Sequence, residues 1–149
     1  MRLFHASARD LNNKVLTPTI PDNILTKLGV ENSDIPRVSF APDVKHCLLA
    51  IGYNRIKNGP KILNVYEPEN YRTVKAIHSA DLVRRNYVPD ADKTLEVWVI
   101  NKVKVVYTGK IKIISPTRDY VEISLPTGDK LKNYYWKYKV LDGDLNDSI

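Results

Sequence analysis

From Glu96 to Leu141 the spacing of apolar residues is that of strands. Lys110–Ile114 alternates lysine with isoleucine, and Glu96–Val106 (EVWVINKVKVV) is a β-branched run with a bend expected near Asn101. Tyr120–Leu125 and Lys130–Leu141 flank Pro126-Thr127-Gly128-Asp129. Period two marks a strand with one buried face, and a Pro/Gly/Asp cluster between two such runs marks a hairpin. A second half of this kind can bury its apolar faces only in a sheet system, and the short connections make that sheet mostly antiparallel.

The first half is less regular. Met1–Phe4 reads as a first strand ending at His5, Ala6–Asn13 as a polar loop, and Arg37–Ala41 (RVSFA) as a compact strand. Lys14–Asp22 holds Pro18 and Pro21, which excludes a helix or a central strand. Thr26–Asp34 reads as a loop. Asp43–Tyr53 carries the best helical pattern. Val44, Cys47, Leu48 and Ile51 share one face, Asp43 stands at a capping position after Pro42, and Gly52 suits the end. Asn58-Gly59-Pro60 is a turn, Ile62–Tyr66 a strand, Tyr71–Ile77 a further strand and Ser79–Arg85 a turn or two of helix. Asn86–Lys93, with Pro89, reads as an exposed loop. The class is α+β: two small, mostly antiparallel sheets around a cleft, with few helices.

The length, 149 residues, fits one domain with a core of its own. Residues 115–141 read as a C-terminal hairpin extension and 142–149 as a frayed acidic tail bearing Asp142, Asp144 and Asp147. A single cysteine, Cys47, excludes a disulfide framework and a Cys-based zinc site. It belongs on the buried helix face. The absence of a long apolar run argues against a membrane partner, and the start MRLFHASARDL lacks the apolar stretch of a secretory leader, so a cytoplasmic setting is expected. The net charge of +6 is concentrated. Between Glu96 and Lys139 nine Lys and Arg face four acids, a balance that permits nucleic-acid or nucleotide binding.

Several chemistries are unsupported. No Gly-rich phosphate loop, HExxH or G-x-S-x-G motif occurs, and His5, His46 and His78 lack metal-ligand spacing, so no metal is expected. Three other segments say more: Leu3-Phe4-His5-Ala6-Ser7, a strand leading to a histidine; Arg37-Val38-Ser39-Phe40-Ala41-Pro42-Asp43, a strand feeding the helix; and Glu96-Val97-Trp98-Val99, an acid opening a β-rich run. Taken in order, over about residues 1–114, they resemble the His-Tyr-Glu branch of the ADP-ribosyltransferase fold. That branch includes the poly-ADP-ribose polymerases, the DNA-modifying toxin transferases and the RNA 2′-phosphotransferases. Ser39 takes the place of the family's tyrosine, Ala6 that of its glycine. Pro36–Ile51 also resembles segments of small phage and mobile-element proteins.

The resemblance implies an enzyme that uses NAD as substrate to ADP-ribosylate a macromolecule, or that hydrolyses NAD. Glu96 would stabilise the cationic ribose. His5, Ala6 and Ser7 would hold the nucleotide, with Ser39 and Phe40 lining the nicotinamide slot and Phe40, Tyr53 or Tyr66 supplying an aromatic wall. Thr94 stands where the arginine- and asparagine-modifying transferases carry Glu or Gln, which argues against an arginine acceptor. The loop Asn86–Leu95, through Tyr87, and the basic aromatic strand, through Lys137 and Lys139, would choose a nucleic acid or an acidic protein as acceptor. Two other functions fit the same residues: an inactive nucleotide- or protein-binding domain of this fold, and a basic nucleic-acid-binding module whose strand Lys130–Lys139 interleaves bases and rings.

Overall fold

The computed structural model describes residues 1–22, 27 and 30–145. Part of the loop expected over Thr26–Asp34 and the end of the acidic tail lie outside them. The described chain is α+β, with two sheets, both antiparallel, and four short α-helices. None of these helices is long and apolar enough to cross a membrane.

The larger sheet is built on one strand. β7 (Val103–Ser124) pairs along one side with β4 (Ile62–Pro68) and β4 with β1 (His5–Ser7); on its other side lie first β2 (Val15–Leu16) and then β8 (Lys130–Gly143). The hairpin is therefore the far end of the strands whose near ends form the main sheet. The smaller sheet runs β3 (Val38–Phe40), β6 (Val97–Val99), β5 (Ala76–Ile77). A bridge between Phe4 and Ala41 links the entries to the two sheets.

The run Glu96–Val106 is not one bent strand. It breaks at residues 100–102, so that β6 belongs to one sheet and β7 to the other. Asn101 sits at the break, its side chain accepting from the Lys75 amide (2.9 Å) and donating to the Thr73 carbonyl (2.8 Å). The first strand begins later than expected, at His5, so Ala6 and Ser7 are sheet residues, not loop. Over Tyr71–Ile77 a 3₁₀ turn, Tyr71–Thr73, capped by the Asn70 side chain, leaves only Ala76–Ile77 as strand. Asn86–Lys93 is not an exposed loop. Val88 and Ala91 are fully buried, and Ala91–Thr94 closes a helical turn. The tail is ordered further than expected, with Asp142 in β8 and Leu145 packed in the core.

Three apolar clusters hold these parts together. One packs α1 (Val44–Ile51) and α2 (Tyr53–Lys57) on the larger sheet through Leu48, Ile56, Val65, Ile111 and Trp136. Cys47 lies in it as expected, its thiol donating to the Phe4 carbonyl. A second fills the space between the sheets with Val38, Phe40, Tyr66, Val97, Val99 and Val105. A third covers the smaller sheet's other face. There α3 (Ser79–Arg84) and α4 (Ala91–Thr94) bring Leu82, Val88 and Ala91 onto Trp98. The alternation of β3 and β6 thus sends Val38, Phe40, Val97 and Val99 to one side and Ser39 and Trp98, which are cross-strand partners, to the other.

α1 and α2 meet at Gly52, whose φ of 100° lies in the region that favours glycine. Asn133 of β8 secures this kink. Its buried side chain donates to the Leu49 carbonyl (2.7 Å) and accepts from the Tyr53 amide (3.0 Å). Both are helix-terminal groups with no other protein partner given by the helix ladder. Asn133→Ala orphans both, each costing about 1–3 kcal/mol. Urea unfolding should show a loss of roughly 2–4 kcal/mol, with the slope unchanged; a loss below about 0.5 kcal/mol, the size of an ordinary surface change, would refute the clamp.

Candidate functional site

The smaller sheet's helix-covered face carries a line of polar groups. Ser39 stands in the middle of β3 and bonds in two directions. Its Oγ donates to Glu96 Oε1 at 2.8 Å, and its carbonyl accepts from His5 Nδ1 at 2.9 Å. Trp98, two residues beyond Glu96, donates its indole N–H to the same Oε1 at 3.0 Å. His5, Ser39 and Glu96 are thus brought together from three segments, with 34 residues separating the first pair and 57 the second. The bond to the Ser39 carbonyl places the proton of neutral His5 on Nδ1 and leaves Nε2 as an acceptor. Burial lowers the His5 pKa, partly offset by that bond, which keeps the ring neutral.

The other expected site residues are placed differently. Ala6 and Ser7 lie in β1 opposite Val65 and Asn64, and the Ser7 hydroxyl accepts from the Arg9 amide in a local turn. Phe40 points into the cluster between the sheets, 1% exposed, and meets the site only through its ring contact with His5, 5.5 Å between centroids. Tyr66 is fully buried, its hydroxyl tied to the Arg9 carbonyl and the Leu11 amide, and Tyr53 packs on Trp136. The ring beside the polar line is Tyr87, half-buried and parallel to Trp98 at 6.1 Å. Lys137 and Lys139 are exposed on β8, opposite Ser115 and Lys112.

Sequence reasoning missed three neighbours. The Arg37 guanidinium lies 3.8 Å over the Trp98 ring, donates to the Asn32 and Ile35 carbonyls at 2.6 and 3.1 Å, and approaches Glu31 Oε2 at 3.4 Å. Trp98 was legible as the i+2 neighbour of Glu96, on the same strand face. Arg37 lies in step with Ser39. Glu31, in an irregular segment, carried no such signal.

Two carboxyl groups, Glu31 and Glu96, lie within the field of this guanidinium, a third, Asp90, acts on both of them, and all three hold protons more tightly than usual. Burial raises the pKa of Glu96, against the opposing bonds from Ser39 and Trp98. Burial also raises Asp90. Glu31 is pushed up to about 8, first by burial and then by the charge of Glu96, with Arg37 pulling the other way. Arg37 is itself lowered by burial. Its Nε and the Asp90 Oδ2 are buried without a hydrogen-bond partner among the described residues.

An open depression of about 700 Å³ is bounded by Asp92, Lys93 and Leu95 of α4 and its exit, His46 of α1, and Tyr120, Glu122 and Tyr135 of the hairpin; of the residues above, none lines it, and Leu95 precedes Glu96 in the chain. His46 is partly buried. Its Nδ1 lies 2.7 Å from Asp43 Oδ1, and Asp43 also caps the helix by accepting from the His46 amide at 2.8 Å. Burial alone would raise Asp43, but these two bonds outweigh it and hold the carboxyl below its usual range. Among the described residues no three His, Cys, Asp or Glu side chains are grouped to hold a metal ion.

The raised pKa of Glu31 has a sign. Between about pH 4.5 and 8 the folded chain keeps a proton that the unfolded chain has lost, so this group's contribution to stability falls as pH rises through that window. Glu31→Gln removes the titration and leaves a side chain that still meets Arg37. The variant's stability relative to wild type should therefore improve from pH 5 to pH 8, by roughly 1–3 kcal/mol. Chemical denaturation at the two pH values measures it, and a constant difference would exclude the proton-holding cluster.

No family model matches the chain, and no curated protein or solved structure matches it.

Proposed function

We propose that the chain binds NAD and transfers its ADP-ribose to a macromolecular acceptor, or to water, on an ADP-ribosyltransferase-like fold. The observation that carries this reading is the hydrogen-bonded line from His5 through Ser39 to Glu96. These three are among the six residues that the resemblance singled out, and they come from three separate segments of the chain. Two antiparallel sheets with few helices are the architecture the reading needs.

The chemistry follows from the geometry. Cleavage of the nicotinamide–ribose bond passes through an oxocarbenium-like state whose positive charge a nearby carboxylate stabilises. Ser39 and Trp98 both bond Oε1 of Glu96, which fixes the carboxyl and leaves Oε2 to accept from the ribose 2′-hydroxyl. Burial favours the neutral acid in the free protein. The cationic nicotinamide ring, and then the sugar cation, pull its pKa down, so ionisation coincides with the arrival of positive charge. His5 Nε2 accepts from a second ribose hydroxyl. Tyr87, not the core-facing Phe40, supplies the half-buried aromatic wall.

Binding of a nucleotide without turnover is the second reading. It is favoured by the depth of Glu96, 6% exposed, and by serine in place of the family's tyrosine at position 39. Nicotinamide release from NAD separates the two. On the first reading Glu96→Gln lowers turnover at least ~10²-fold, about 3 kcal/mol, while calorimetric NAD binding persists. An equally active variant would remove Glu96 from the chemistry. His5→Ala should weaken NAD binding by about 1–2 kcal/mol, and unchanged affinity would make the N-terminal motif structural.

A further inference from the structure

The depression bounded by Leu95, α1 and the hairpin has walls of a particular chemistry. Tyr120, 43% exposed, and Tyr135 stand on its hairpin side. Each ring carries a cation: Lys132 Nζ lies 4.9 Å from the Tyr120 centroid and Lys45 Nζ 4.5 Å from that of Tyr135. Lys93 lines the opposite wall. Among the described residues none of these three ammonium groups has a carboxylate within 4 Å, whereas Glu122 in the same wall is paired with Lys130 at 3.4 Å. Tyr120 also begins a row of ring contacts running to Tyr134 at 5.3 Å and on to Tyr53 at 5.1 Å, where Lys57 lies 5.8 Å from the ring. Asp92 also lines the depression, but partly exposed rings accompanied by cations outside any salt bridge form a surface to which both halves of a nucleotide bind, the base by stacking and the phosphate by charge.

We propose that this groove binds single-stranded nucleic acid, with a base on Tyr120 or Tyr135 and phosphates on Lys45, Lys93 and Lys132. A duplex hides the base faces that these rings would engage, and an acidic peptide would use the lysines but leave the tyrosines idle. The position of the groove gives the proposal its meaning. Leu95, the residue before Glu96, lines it, so the groove adjoins the segment that carries that carboxylate. As the acceptor site, the groove rests on the transfer reading; as a binding site, it stands without it.

The test is anisotropy of a fluorescein-labelled oligothymidylate without NAD, so that an absence of transferase activity leaves the result intact. Wild type should bind it more tightly than a duplex of equal length, with affinity falling as salt rises. Tyr120→Ala should weaken binding roughly tenfold, and Tyr120→Phe, which keeps a ring, should restore it. Lys93→Gln combined with Lys132→Gln should weaken binding and flatten the salt dependence. Thermal melting of each variant confirms that it is folded. The proposal is overturned if folded Tyr120→Ala binds as wild type does, if the duplex binds as tightly as the single strand, or if polyglutamate displaces the oligonucleotide at equal charge concentration. If the binding results hold and nicotinamide release is absent, the groove stands and the transfer reading falls.

Discussion

The larger sheet, the hairpin and the helices packed on them are all referred to β7. It is long enough to pair with β2, β4 and β8, and so it carries the main sheet, the hairpin and the floor beneath α1 as one continuous backbone. Its regularity is interrupted at places that matter. At Gly109 a side chain would strike the Asp142 carbonyl, 2.6 Å from an added Cβ, and the side chain of Leu145. The close approach lets the end of β8 fold back and seal the core with Leu145. Further along, shifts in pairing between Ile113 and Tyr120 change which faces of the hairpin turn inward. They bring Trp136 into the core while Tyr120 stays at the surface.

The smaller sheet contributes a different constraint. With one face given to the cluster between the sheets and the other roofed by α3 and α4, any polar side chain on the roofed face must find partners within the protein. Glu96 meets that demand through a serine and a tryptophan, and Arg37 through carbonyls and Glu31. A buried ionisable cluster is costly to keep where packing alone is at stake, since apolar residues of similar size do as well or better. Its presence under a roof of short helices, next to a half-buried tyrosine, is what makes this face the candidate site.

How much of this was written in the sequence depends on the range of the signal. Period two identified β4 and the paired β7 and β8, and an apolar stripe after a capping aspartate identified α1, because these patterns are local. The switch of sheets at residues 100–102 was not legible as a switch. Asn101 marked an irregularity, but partners near residues 73–75 decide where the chain goes. Residues 86–93 misled because a proline and several polar residues outweighed Val88 and Ala91, which are buried by tertiary contact. The candidate site was half legible. Motif order pointed to His5, Ser39 and Glu96, while Phe40 next to Ser39 had to face the opposite way, as alternation requires of any strand neighbour. Arg37 shared the face of Ser39 by period two, whereas Glu31 lay beyond reach because it sits in an irregular segment and meets Arg37 only in the folded chain.

The outermost strand leaves one further mark on the behaviour of the chain. Among the described residues β8 pairs only with β7, so a row of its backbone donors and acceptors faces outward over much of a long strand. Such a row is a template for another strand, and the surrounding tyrosines would reward the pairing. Lys130, Lys132, Lys137 and Lys139 are all exposed along it. Two copies meeting edge to edge would crowd like charges in register, and the encounter would fail before hydrogen bonds could form. Lys137 and Lys139, outside the groove, thus set like charges along an open strand edge, which disfavours edge-to-edge pairing of two copies.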